Sequence, residues 1–543
     1  MCGIVGAVSV APINSKLIEE MRDRLVHRGP DHGGLWSSDD MCVSFGHRRL
    51  SIVDLSPEAS QPFVSHDGRF VITFNGEIYN FKALRAFVVA RISQKDRSHW
   101  GIDFLCFGFV AEPKSIWKDC RKLPPGHSLS VELMQDRSLL MKEPAAYWDV
   151  EFNPDYSVKD WRPRILETLQ KTSKEMSFAD VPVGTFLSGG VDSSSVTAAL
   201  SCAGCDVKTF TIGFDEQGYD ERPYARQVAA LYRTEHIERR VVAEDVTADI
   251  GRLLWHYDEP FNDYSYLPTF QVCKEARKII TVALSGDGGD EVFAGYRKYQ
   301  RLSLRQGVER LSPRGLSRFV ARRAKMVRPE TNQFRRMLFQ YLSDSPTMML
   351  DALSLGLSLP ALRIAARGEL AETLKHYSPM DVIEPLLGKA PPEKVGLINS
   401  MRYLDLKLTL AGDILVKVDR ASMAVALEVR PVYLHRDMIA LAEKIPAELL
   451  ADRNHSKQVL KSALKAWLPE SILYRRKQGF AMPLKTWING NLRQLFAAKG
   501  PVDDLLDPGL LENMTNLHSA GNADKTSVIH SLFFLNQWIA KWA

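Results

Sequence analysis

Two groups of residues in this chain have types and spacings that could do chemistry. The first begins with Cys2 and continues through His27-Arg-Gly-Pro-Asp31, Gly46-His-Arg-Arg-Leu-Ser-Ile-Val-Asp54 and Phe74-Asn-Gly-Glu77. If Met1 is removed, Cys2 carries a free α-amine beside its thiol, which pairs a nucleophile with a base. An α-amine titrates near about 7.7 to 8.0 and a thiol near about 8.5, so proton transfer between them is accessible at neutral pH. Arg49 offers a planar fork for a carboxylate and Glu77 a countercharge for an ammonium. Asn75 and Gly76 supply an amide and a backbone N–H for an oxyanion. Together these groups suit an amino acid such as glutamine.

The second group is Phe186-Leu-Ser-Gly-Gly-Val-Asp-Ser-Ser194, which follows an apolar strand and opens a helix. The small residues Ser188, Gly189, Gly190, Ser193 and Ser194 let N–H and hydroxyl groups close on phosphate oxygens, and the helix N-terminus adds positive potential. The pattern is not Gly-x-x-x-x-Gly-Lys-Ser/Thr, so kinase-like transfer of a terminal phosphate is not expected. Ala283-Leu-Ser-Gly-Asp-Gly-Gly-Asp-Glu291 is again a strand running into an acidic glycine turn. Asp192 and Asp290 could hold Mg²⁺ against a pyrophosphate, since hard oxygen ligands suit that ion.

These groups need different scaffolds. As far as about Val150 the chain reads as short strands and turns, with Gly3 to Val8 and Phe70 to Phe74 as apolar or alternating runs. Glu143-Pro-Ala-Ala-Tyr-Trp148 and Asn153-Pro154 read as a connection, which sets a boundary at about residues 145 to 157. Beyond it, Val181 to Leu187, a helical run through Leu200, Lys208 to Phe214 and Ile279 to Leu284 alternate strand with helix. That order predicts a doubly wound parallel sheet, extended after Tyr296 by helices.

Composition is that of a globular enzyme. The 543 residues include 70 Lys plus Arg and 65 Asp plus Glu, a net charge of +5 with the basic residues scattered, so a nucleic-acid partner is disfavoured. The seven cysteines, an odd number thinly spread, suit a reducing compartment; Cys202 and Cys205 have no second ligand pair and read as a helix-end loop. With neither eighteen consecutive apolar residues nor a basic-then-apolar leader, the expected location is the cytoplasm, with no membrane span.

The first group of motifs resembles the class II glutamine amidotransferases. The resemblance implies that Cys2 is the nucleophile, that Arg49, Leu50, Ser51, Ile52 and Val53 form a glutamine-holding loop, and that Asn75, Gly76 and Glu77 shape the oxyanion and ammonium sites. The second group, with Asp258-Glu-Pro-Phe261, Asp413 to Met423 and Arg475-Arg-Lys-Gln-Gly-Phe480, resembles the asparagine synthetase family. That implies an α+β N-terminal hydrolase-like sandwich over residues 2–150 and an α/β pyrophosphate-loop ATPase domain with a helical extension over residues 155–543. Leu187, Ser188, Gly189, Gly190, Asp192, Ser193, Ser194, Ile212, Ser285 and Gly286 would bind ATP, and Asp192 and Asp290 would hold Mg²⁺. Asp287 and Lys477 would assist acyl-adenylate formation and ammonia attack. The implied substrates are glutamine, aspartate and ATP, and a homodimer is possible.

Two departures stand out. Only 41 residues separate Asn80 from Lys122, where the family carries a longer stretch with a Ser-Asp-Thr-Glu segment; Asp103 lacks those flanks, and the sandwich is expected to be shortened. Val429-Arg-Pro-Val-Tyr433 stands where the family more often reads Val-Arg-Val-Pro-Phe-Leu-Asp. Another carboxylate acceptor therefore remains an alternative to aspartate, and a non-catalytic nucleotide-binding paralogue remains an alternative to an enzyme.

Overall fold

The computed structural model describes residues 2–75, 99–116, 120–134, 136, 138–216, 218–311, 345–475, 482–490, 492, 496, 500–519 and 524–542. The first sheet is antiparallel, with strands β1 (Gly3–Val8), β2 (His32–Ser37) and β3 (Val43–Arg49) in the order β1-β3-β2. The helix Ser15–Asp23 packs against it, opened by Asn14, whose side chain accepts the Lys16 N–H. A two-stranded ribbon, Phe63–Val64 with Val71–Ile72, follows. The sandwich expected over residues 2–150 is thus represented, among the described residues, by one three-stranded sheet, this ribbon and two more, His127–Ser128 with Ala145–Ala146 and Val131–Leu133 with Leu139–Met141.

The second sheet matches the alternating pattern that predicts it. Five parallel strands run in the order Glu235–Arg240, Lys208–Gly213, Val183–Phe186, Val282–Ser285 and Glu428–Pro431. Val282–Ser285 is wholly buried, as expected for a strand covered on both faces. The helices Arg162–Met176 and Val191–Cys202 pack on each other, as do Leu415–Met423 and Tyr266–Ala276. The chain starts this sheet at its middle strand, moves outward through two strands, and then returns to place Val282–Ser285 on the other side. Strand order therefore reverses between Val183–Phe186 and Val282–Ser285, and a crevice at such a reversal is where open α/β sheets bind ligands.

The helix Trp100–Phe107 lies upstream of the boundary expected at about residues 145 to 157, yet it packs with the far end of the chain. Ile102, Phe104 and Leu105 share a buried cluster with Leu362, Leu370, Leu532 and Leu535. Its carbonyls accept N–H groups from across the chain: Leu105 from Leu357 at 2.7 Å and Cys106 from Gly356 at 3.1 Å. Asp103, also buried, pairs with Lys114 at 2.5 Å and accepts the Tyr377 hydroxyl at 2.5 Å. No helix among the described residues is long and apolar enough to cross a membrane.

Candidate active site

The two glycine turns end adjacent parallel strands, and a cavity of about 480 Å³ opens between them at the strand-order reversal. Leu187, Ser188, Gly190, Asp192 and Ser193 line it from the first turn; Ser285, Gly286, Asp287 and Asp290 line it from the second, and Ile212 from the neighbouring strand. Ten expected residues therefore converge on one space. Two others serve beneath it. Gly189 sits at φ +67°, where a Cβ would lie 2.4 Å from that of Tyr224, so only glycine lets the loop close on its neighbour. Ser194 is fully buried and does not line the cavity.

The first turn is preformed. The Ser188 and Ser193 hydroxyls are 2.9 Å apart, the Ser188 N–H donates to Ser193 Oγ at 3.2 Å, and the Gly190 N–H donates to Ser188 Oγ at 3.3 Å. The helix Val191–Cys202 starts immediately after, and its first residues Val191, Asp192 and Ser193 line the cavity, which places the positive end of the helix there. Gly286 permits the second turn to approach: a Cβ there would fall 2.8 Å from the Ser193 nitrogen.

Lys457, which no sequence motif marks, binds the two turns together. Its ammonium lies 2.5 Å from both carboxylate oxygens of Asp192 and 2.7 Å from Asp290. Burial opposes its charge, but the two carboxylates outweigh burial and hold the ammonium above its ordinary pKa. Asp192 and Asp290, from turns about a hundred residues apart, thus share one cation-binding position. Lys457 lies outside any glycine run and 20 residues before the expected Lys477, so only the fold reveals it. Lys477, with residues 476–481, lies outside the described residues.

Further charges surround the cavity. Arg475 donates to the buried Glu221, lies 4.5 Å above the Tyr224 ring, and reaches within 3.7 Å of where a Cβ on Gly190 would sit. At the other end Lys417 pairs with Asp263 at 3.2 Å. Burial alone would lower its pKa, but Asp263, Asp287 and Asp413 raise it above the usual lysine range. Asp413 sits on a π-helical stretch, Asp405–Ile414, and burial pushes its carboxyl well above the usual range. Burial likewise pushes Glu291 up to about 7, with the negative charge of Asp290 adding to it, while the Tyr296 hydroxyl donates to its carboxylate.

The N-terminal group is assembled differently. Cys2, half-buried, has its sulfur 3.9 Å from the Leu50 carbonyl. Leu50 and Ile52 are buried in the core and the Ser51 N–H donates to Asp31 at 2.7 Å, so residues 49–53 form the edge of the Cys2 site. Arg49, expected as a carboxylate fork, has its buried guanidinium donating to the Ser56 carbonyl at 2.7 Å and to the Asp54 carbonyl. These bonds help to shape the loop that carries Val53. Asn75 is exposed, and Gly76 and Glu77 lie outside the described residues.

Comparison with known proteins agrees with this geometry. The family model described as asparagine synthase matches residues 164–540, most of the chain and all of the parallel sheet. The chain belongs to the asparagine synthase family. A second model, a glutamine amidotransferase domain, matches residues 1–99 and stops at the helix that packs with the synthase part. The chain is similar to asparagine synthetase [glutamine-hydrolyzing] 1 of Bacillus subtilis (strain 168), 28% identical over 99% of this chain and 96% of that protein. It is also similar to a putative asparagine synthetase [glutamine-hydrolyzing] 2 of Methanocaldococcus jannaschii, 28% identical over 78% of this chain and 98% of the relative. A 26% match to amidase chry2 of Gibberella zeae covers 56% of this chain and 60% of that one. The Bacillus alignment spans 628 positions against the 543 residues of this chain, so it includes segments of the relative that this asparagine synthase family member lacks.

Proposed function

We propose that the protein is an ATP-dependent amide ligase that converts aspartate to asparagine, taking ammonia from glutamine at Cys2 or from solution. The observation that carries this reading is the convergence of both glycine turns, Asp192, Asp290, Asp287 and Lys457 on one cavity at the strand-order reversal. The first turn and the following helix N-terminus would hold the phosphates, with Arg475 above Gly190 adding positive charge. Leu187, Ile212 and Val272 give the cavity its apolar wall, suited to the adenine base.

The side-chain carboxylate of the acceptor attacks the α-phosphorus, and the bond from that phosphorus to the pyrophosphate oxygen breaks. The resulting acyl-adenylate is attacked by ammonia at its acyl carbon, AMP leaves with the electron pair of the acyl carbon–oxygen bond, and the nitrogen loses a proton as the amide forms. Asp287 faces this centre from the second turn. Lys417, held charged by three carboxylates, offers a cation for the acceptor's other carboxylate. Glutamine hydrolysis at Cys2 would run through a thioester, with ammonia released when the thiolate attacks the side-chain amide carbon.

Mg²⁺ fits the donor set. Asp192 and Asp290 already share one cation between them, and the pyrophosphate would complete an oxygen shell. Bound there, the ion would neutralise charge on the departing pyrophosphate, while Lys457 would move its ammonium toward the phosphate oxygens.

Residues 100–150 are assigned to the synthase part, because the helix Trp100–Phe107 is buried among its helices; the glutamine part then ends near residue 99. The departure at Val429 to Tyr433 does not argue for another acceptor. Arg430 pairs with Glu428 at 2.7 Å, the Tyr433 hydroxyl is 2.6 Å from Ser195 Oγ, and these residues support the sheet rather than lining the cavity. The test is ATP–pyrophosphate exchange across a panel of carboxylic acids, followed by product analysis. Exchange with aspartate and release of asparagine are expected; exchange with a different acid alone would replace the acceptor, and nucleotide binding without exchange would support the non-catalytic alternative.

A further inference from the structure

One helix reaches both reaction centres. Lys417 and Val418, on the helix Leu415–Met423, line the nucleotide cavity. The next residue, Asp419, accepts both terminal nitrogens of the Arg28 guanidinium, each at 2.8 Å, across 391 positions of sequence. The third nitrogen of the Arg28 guanidinium, Nε, donates to the Cys2 carbonyl at 3.3 Å. Burial works against an ionised Asp419, but its hydrogen bonds from Arg28 and the charges of Arg28 and Arg420 keep its carboxyl below the usual range. One residue further, Arg420 pairs with Asp258 at 3.0 Å.

A second tie runs in parallel. Asp180 lies just before the strand Val183–Phe186, which leads into the phosphate loop. Its N–H donates to the Ile52 carbonyl at 2.9 Å and its carboxylate accepts the Asp54 N–H at 2.8 Å. Each half of the Cys2 site is therefore seated on an element that walls the nucleotide cavity.

Resting on the proposed reaction, we propose that Asp419 is a positioning residue that acts through Arg28 on Cys2 and makes Cys2 reactivity depend on whether the nucleotide cavity is filled. A bidentate guanidinium–carboxylate pair fixes the plane of the arginine, and a planar fork then fixes where Nε points. The Cys2 carbonyl, and with it the thiol beside Leu50, is set by the position of Asp419. A ligand that moves Lys417 moves the same short helix, and packed helices shift as units. Reciprocity of linkage then requires that perturbing the Cys2 side alter nucleotide affinity in turn.

The test uses the full chain and its Asp419→Asn, Asp419→Glu and Arg28→Lys variants. Alkylation of Cys2 by iodoacetamide is followed by peptide mass spectrometry with and without saturating Mg·ATP, with the exposed Cys120 as internal reference. In the wild type Mg·ATP is expected to change the Cys2 rate at least threefold. Asp419→Asn and Arg28→Lys should abolish that response, and Asp419→Glu should restore part of it. In Asp419→Asn the glutamine-dependent kcat should fall tenfold or more with KM little changed, while the ammonia-driven rate stays within twofold of wild type. A wild-type Cys2 indifferent to ATP that demonstrably binds overturns the proposal. So does an Asp419→Asn variant that retains the response, or one that loses both nitrogen-dependent rates equally. Absence of amide synthesis in the wild type would sink the proposed function and leave the alkylation result to decide the pair.

Discussion

The sheet under the nucleotide cavity and the sheet behind Cys2 have strands of similar length, yet they are finished in different ways. The five parallel strands are covered by helices, and the charges at the crevice answer one another: Lys457 against Asp192 and Asp290, Lys417 against Asp263, Arg475 against Glu221. The three antiparallel strands leave Ile4 45% and Leu35 40% exposed, and the ribbon beside them leaves Phe70 51% exposed. An apolar side chain gains stability roughly in proportion to the area it removes from water, so this region is held less by its own core than by ties to the other. Arg28, Ile52 and Asp54 supply those ties. The difference teaches that the cavity is a self-sufficient site, whereas the Cys2 site is a tenant of the synthase part.

The largest expected effect tests the self-sufficient site. Replacing Asp192 with Asn removes one of two carboxylates at the shared cation position and leaves the buried Lys457 with Asp290 alone. Acceptor-dependent pyrophosphate release should fall by about three orders of magnitude, the upper end for losing a preorganised charge. Breaking a buried ion pair costs about 3 to 5 kcal/mol, so the melting temperature should drop while circular dichroism still reports the fold. Turnover close to wild type would remove both aspartates from the metal role.

Next in size is Lys477→Met. Synthesis is expected to fall roughly a hundredfold with ATP binding little changed, the pattern of a charge that matters only in the transition state. Equal loss of ATP affinity and rate would make the lysine a ground-state ligand, and Lys457 the only lysine needed at the transition state.

Three of the five parallel strands, Lys208–Gly213, Val183–Phe186 and Val282–Ser285, were legible because apolar and β-branched runs fix strands locally, whereas the charged Glu235–Arg240 and Glu428–Pro431 were not. Of the ten expected residues that line the cavity, Ser188, Gly190, Asp192, Ser193 and Asp290 follow from the residue pattern, while Leu187, Ile212, Ser285, Gly286 and Asp287 follow from the family resemblance. Lys457 was not legible as part of a site, and the partners of Lys417 and Arg28, although both lie in named motifs, were not, since they stand far away in sequence. Arg49 shows the converse. Its type and neighbours suit a carboxylate, and in the fold its guanidinium also donates to the Ser56 and Asp54 carbonyls, local hydrogen bonds that residue type cannot reveal. The helix Trp100–Phe107 packs through its apolar surface with segments more than two hundred residues away, a contact that chain order does not reveal.

The third prediction sets one region directly against the other. If the Cys2 site is a tenant that lacks the Ser-Asp-Thr-Glu segment, glutamine is held by fewer charged partners, and loss of one typically costs about 1.5 to 3 kcal/mol. Tenfold weaker use of glutamine or more follows. Ammonium salts should therefore support amide formation better than glutamine does, and Cys2→Ala should alter only the glutamine-dependent rate. Both rates measured on both proteins decide it: equal rates in the wild type would show that the shorter region is a complete glutaminase.

The smallest effect concerns how each region answers pH. Burial raises Glu291, beside the cavity, to about 7 and lowers His47, in β3, to about 4. For Glu291 the folded state binds the proton more tightly than the unfolded chain, whose glutamate titrates near about 4.3. Its contribution to stability is therefore lost as pH rises from that value to about 7. For His47 the unfolded chain binds the proton more tightly, near about 6.5, so its contribution is lost as pH falls from there toward 4. Glu291→Gln should consequently melt relatively higher than wild type as pH increases from 5 to 7.5, with the gap levelling above that. His47→Gln should show its relative gain in the opposite direction, below pH 6.5. Melting curves of wild type and both variants at half-unit steps of pH read the two differences directly. A Glu291→Gln difference that stays flat between pH 5 and 7.5 would mean that the carboxylate is ionised throughout and that the Tyr296 hydroxyl, not a retained proton, satisfies it.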